Sequence, residues 1–145
     1  MIYFEDVEEG TAISTLVKRP DYQQVVKWAY AQGNIGETHY DRDFARESGL
    51  KDVILAGPLM GAFIGQAVEE WAGYVGGIRL ISWRNQAMGY PGDTLTVNGK
   101  VNKAYIDGDD GLVECLLEVR SQRDDVVISG RCVISLPRKG NTNAS

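Results

Sequence analysis

Histidine occurs once in the 145 residues, at position 39. It stands in Gly33-Asn34-Ile35-Gly36-Glu37-Thr38-His39-Tyr40-Asp41, a loop-like run that follows an amphipathic segment. Imidazole is the side chain whose ordinary pKa lies nearest neutrality, so it can accept and return a proton there. Farther on, Gly57-Pro58 opens a long apolar stretch. A helix beginning at that point leaves backbone N–H groups without intrahelical partners and offers them, with its dipole, to an oxygen anion. Pro58 has no N–H, so Gly57 or Leu59 must be the donor. Glycine at 57 also lets a ligand approach the main chain closely.

These residues need a scaffold, and the rest of the chain describes one. The length suits a single domain with a real core. Hydrophobic residues make up 43% of the chain and charged residues 24%, an ordinary globular balance. The net charge of −5 argues against nonspecific nucleic-acid binding, which requires a basic face. Cys115 and Cys132 lack Cys-x-x-Cys spacing, and with a single histidine they make a poor metal site. Two buried thiols in a reducing compartment are expected instead. No signal-like N-terminus and no membrane-length apolar run is visible, so a cytoplasmic protein without a membrane partner is expected.

A first strand is expected over Ile13–Arg19, ended by Pro20. A helix then starts at Asp21 and stops at Gly33. Residues 34–56 are mostly loop, with one short helix near Asp43–Ser48 that Asp41 can cap. Pro58–Tyr74 reads as a central helix, apolar nearly all round, with Gly61 and Gly65 forming a small-residue strip. Four strands follow: Ile78–Met88, Thr94–Tyr105, Leu112–Gln122 and Val126–Leu136. Their buried faces carry Leu95, Val97 and Val101, then Cys115, Leu117 and Val119, then Val126, Ile128, Cys132, Ile134 and Leu136. The order predicts an α+β fold, a curved antiparallel sheet around one long helix, with an open sheet edge that invites dimerisation. One domain is expected over residues 1–138, with a flexible polar tail at 139–145.

Five stretches, in order, resemble the MaoC-like hot-dog-fold hydratases and dehydratases, the (R)-specific enoyl-CoA hydratase group. They are Phe4-Glu5-Asp6-Val7-Glu8-Glu9-Gly10, the helix running into Gln32-Gly33-Asn34, His39-Tyr40-Asp41-Arg42-Asp43-Phe44-Ala45, Ala56-Gly57-Pro58-Leu59-Met60, and Tyr90-Pro91-Gly92-Asp93-Thr94-Leu95. The resemblance spans Phe4 to Leu136. It departs at Asn34, where the family usually has Asp, and at Ala56, where many members carry a second histidine.

The resemblance implies reversible addition of water to a 2-enoyl thioester of CoA or acyl-carrier protein, with no metal or redox cofactor. His39 would be the general base. Asn34 cannot take a proton, but its carbonyl can accept a hydrogen bond and aim the water; as a residue just past Gly33 it can equally serve only to end the helix. Gly57 or Leu59 would contact the thioester oxygen. A homodimer, or a heterodimer with a second hot-dog subunit, is the implied assembly. The absent acid motivates a second reading, a non-catalytic subunit of a heteromeric dehydratase; an acyl-CoA thioesterase on the same fold is a third, since fold resemblance alone does not choose among them.

Overall fold

Asp21 opens the first helix as expected: its carboxylate accepts the Gln24 N–H at 2.8 Å. The structure is a computed structural model that describes residues 2–140. Strand β1 (Ala12–Lys18) leads into helix α1 (Tyr22–Gln32), which Gly33 closes at φ 75°. A 3-10 turn at Glu37–His39 and the short helix α2 (Arg42–Glu47) follow. The Asp41 carboxylate caps α2, accepting from the Asp43 and Phe44 N–H groups at 3.0 Å. The long helix α3 (Gly57–Ala72) ends at Gly73, and four strands complete the chain: β2 (Gly77–Asn85), β3 (Leu95–Asp107), β4 (Asp110–Arg120) and β5 (Val126–Leu136).

The five strands form one antiparallel sheet in the order β1-β3-β4-β5-β2. Helix α3 packs on its inner face, and Leu59, Phe63, Ile64, Val68 and Trp71 join Leu95, Val97, Val113, Val119, Ile128 and Ile134 in one apolar core. The expected α+β architecture and its central helix are therefore both present. Cys115 and Cys132 face each other across β4 and β5, free and buried, and burial, the main cause in each, raises both thiols to about 12. They pack as small apolar groups.

One expected core position moves. Val127, not Val126, is fully buried. The register passes from Val119 opposite Ile128 to Arg120 opposite Val126, so Val127 is the extra residue of a bulge. Its carbonyl turns to the Gln86 and Ala87 N–H groups, at 3.0 and 3.3 Å. That contact marks where β2 leaves the ladder, at Asn85 and not at Met88.

The glycine strip of α3 faces β2. A methyl group at Gly65 would meet Ile78 and Ile81, one at Gly61 the Trp83 ring, and one at Gly57 the Asn85 amide. Four helical residues advance about 6 Å and two strand residues about 6.7 Å, so the two antiparallel series stay in step. Of the expected tail, Lys139 donates its N–H to Glu5 at 2.8 Å and pairs with Asp6. Residues 141–145 lie outside the described region.

Candidate active site

His39 ends the 3-10 turn that follows α1, half-buried, and its ring is held from one side. Nδ1 lies 2.8 Å from the Ile54 carbonyl oxygen. That oxygen can only accept, so Nδ1 carries the proton, and in the neutral ring Nε2 keeps its lone pair. The same segment returns the contact, since the Ile54 N–H donates to the Thr38 carbonyl at 3.0 Å. The next residue, Leu55, donates to the Gly89 carbonyl at 2.9 Å. Residues 54 and 55 thus tie the His39 loop to the turn between β2 and β3, immediately before α3 begins. On the other flank, the Tyr22 hydroxyl donates to the Tyr40 carbonyl, which fixes the loop to α1.

Helix α3 begins as the Gly-Pro pair requires. Ala56 makes no side-chain cap, and the Gly57 N–H has no hydrogen-bond partner among the described residues. The alternative donor is already engaged: the Leu59 N–H reaches the Ala56 carbonyl at 3.0 Å. The Leu59 side chain is 2% exposed and belongs to the core, outside the cavity wall. Of the two amides, only that of Gly57 is left without a partner among the described residues.

His39 and Gly57 line one cavity of about 500 Å³, together with Ile54, Met60, Asn85 and Met88. Its wall is largely apolar, with His39, Gly57, Asn85 and Gln86 as the residues that bring polar groups to it. Asn34 is not part of this wall. It is exposed, and its Oδ1 accepts the Gly36 N–H at 3.3 Å. Gly36 lies between the two residues: a methyl group there would sit 3.3 Å from Asn34 Oδ1 and 4.0 Å from the His39 ring. Asn34 shapes the loop that carries the histidine. Asn85 escapes a reading of the sequence. Its only signal is an amide in line with Ile81 and Trp83, opposite the glycine strip.

The turn holding Leu55 is itself locked by charge. Asp93, 3% exposed, accepts from both terminal nitrogens of Arg123 at 2.8 and 3.0 Å, from Gln122 at 2.9 Å and from the Tyr90 N–H at 2.9 Å. Burial pushes its carboxyl upward, but the Arg123, Gln122 and Tyr90 donors together outweigh burial and hold it down at about 2. Among the described residues no three His, Cys, Asp or Glu side chains gather as a metal site would require.

A family model described as MaoC like domain matches residues 7–120, a stretch that includes the His39 loop, the α3 start and the Asp93 turn. The chain belongs to the MaoC-like family. Among solved structures, it is similar to a chain of the ChsH1-ChsH2 complex from Mycobacterium tuberculosis, with 26% identity, 89% of this chain and 98% of that chain covered, and a TM-score of 0.79. The R-hydratase PhaJ1 from Pseudomonas aeruginosa matches at 22% identity over 95% and 87% of the two chains, with a TM-score of 0.85. The (R)-hydratase from A. caviae involved in PHA biosynthesis matches at 19% identity over 92% and 99%, with a TM-score of 0.82. No protein of curated function matches the sequence. The MaoC-like fold is thus common to this chain and to hydratases, and family membership supports thioester hydratase or dehydratase chemistry at that level.

Proposed function

We propose that this MaoC-like protein adds water reversibly to a 2-enoyl thioester of CoA or acyl-carrier protein. The observation that carries the proposal is His39 and the Gly57 amide lining one apolar cavity, with His39 Nδ1 held by Ile54. Nε2 takes a proton from a water placed over C3 as the water oxygen bonds to that carbon. The C2–C3 π electrons move toward the thioester, and negative charge grows on its oxygen. The Gly57 N–H, at the positive end of α3, receives that charge. The imidazolium then returns the proton to C2, so H and OH have been added and the base is restored. Asn34 acts at one remove, through the turn it makes with Gly36.

The assay follows the ultraviolet absorbance of a short 2-enoyl-CoA with the purified chain, beside a free-thiol measurement. Loss of conjugation without thiol release is expected. Thiol release instead would establish the thioesterase reading, and neither change at high enzyme concentration would overturn the proposal.

One observation favours a second reading. Asn34 is neither acidic nor in the cavity wall, and one solved relative is a component of a two-protein complex. On that reading the chain is a non-catalytic subunit paired with a catalytic homologue. Turnover by this chain alone removes it. For either assembly the edge strand β2 is the proposed contact, with Leu80 and Trp83 exposed along it. The free, opposed Cys115 and Cys132 thiols support a reducing, cytoplasmic setting. No helix among the described residues is long and apolar enough to cross a membrane.

A further inference from the structure

The cavity holds a polar group that the proposed mechanism leaves unused. Asn85 is the last residue of β2, paired with Ile128 of β5. Its side chain lies across the start of α3: a methyl group built on Gly57 would sit 2.7 Å from Asn85 Nδ2 and 2.8 Å from Oδ1. Both ends of the amide are without a hydrogen bond to the described residues, although the backbone around it is fixed. The next two N–H groups, of Gln86 and Ala87, converge on the Val127 carbonyl. A rigid strand end thus presents an unpaired amide to the cavity beside the one main-chain donor already assigned.

We propose that Asn85 Nδ2–H is a second donor to the thioester oxygen, completing with the Gly57 N–H a two-point site for the developing enolate. The inference rests on the hydratase reading above. Two convergent donors suit an oxygen that gains charge in the reaction better than one, because each strengthens as the charge grows. The same contact explains residue 57: any side chain there would occupy the space of the Asn85 amide.

The test compares Asn85→Ala and Asn85→Asp with the wild type. Aspartate keeps the shape of asparagine but replaces both amide hydrogens with acceptor oxygen. Asn85 is exposed, so neither change threatens folding. Two readouts are needed: kcat and KM for hydration of a 2-enoyl-CoA, and the infrared carbonyl band of a bound saturated acyl-CoA labelled with carbon-13 at the thioester, which binds without reacting. Both variants are expected to lose kcat by ~10²-fold, Asp at least as much as Ala, with KM moved far less. The carbonyl band is expected to shift to higher frequency in both. Wild-type-like kcat and an unmoved band in the Asp variant, with the wild type active, would overturn the Asn85 role and leave the hydratase intact. A wild type that binds the thioester but never hydrates an enoyl-CoA would overturn the parent reading and this one together.

Discussion

At the residue scale, the chemistry rests on which side-chain atoms are free. Ile54 engages Nδ1 of His39 and so leaves Nε2 with its lone pair in the neutral ring, the atom proposed as the base, while Asn34 spends its oxygen on the Gly36 N–H. Replacing Asn34 with aspartate preserves that acceptor and adds no group to the cavity wall. Asn34→Asp is therefore expected to keep kcat/KM within ~3-fold of wild type, about 0.6 kcal/mol in the barrier. A gain of tenfold or more in the same assay would mean that residue 34 reaches the reacting water. His39 was legible in the sequence because its residue type is unique in the chain. That Leu59 and Asn34 lie outside the cavity wall was not legible, because which amide or side chain faces a cavity depends on how a loop closes. Asn85 was hidden for a related reason: what places it at the cavity is its contact with Gly57, at the far end of α3 in sequence.

At the element scale, α3 and β2 mesh through a glycine strip, and the strip makes a graded forecast. A methyl group at Gly61 would lie 2.7 Å from the Trp83 ring, whereas one at Gly65 would lie 3.3 and 3.4 Å from the ends of two isoleucine side chains. Gly61→Ala is expected to destabilise by ~1–3 kcal/mol through overpacking. Gly65→Ala, in a helix interior where alanine is favoured by ~1 kcal/mol, is expected to be near neutral or slightly stabilising. Denaturant unfolding of the two variants checks the order, and equal losses would contradict the packing described. The Asp93 lock belongs to the same scale. Its folded-state pKa of about 2 lies below the ordinary aspartate value, so its contribution is complete above about pH 4 and is lost as pH falls toward 2. About two pKa units correspond to ~2–3 kcal/mol. Asp93→Asn is expected to be less stable at neutral pH and to have a flatter acid limb in unfolding measured from pH 5 to 2. The strands themselves were readable from alternation, as at Leu95, Val97 and Val101, all buried. The bulge at Val127 was not, because which residue of a strand goes unpaired is set by its register against the neighbouring strand.

At the scale of the whole molecule, a single sheet wraps one buried helix and stops at β2, whose outer edge carries exposed Leu80 and Trp83 beside the cavity's Asn85. A second hot-dog chain docking there would extend the sheet and lie next to the cavity. Sedimentation is expected to give twice the chain mass, and Leu80→Lys on the edge is expected to raise the dimer dissociation constant. A wild-type monomer at micromolar concentration would remove the β2 edge as the contact. The order of elements made the fold class legible from the sequence, since one apolar helix followed by four strands admits few other packings. Which face the helix covers, and how the His39 loop is tied to the β2–β3 turn through Ile54 and Leu55, emerge only in three dimensions. The central claim remains the imidazole beside the free amide of α3. Its most direct test is kcat for 2-enoyl-CoA hydration by His39→Ala beside the wild type, with circular dichroism to confirm the fold. A loss of ~10²–10⁴-fold is expected for removal of a general base, and equal turnover by the two proteins would contradict the account.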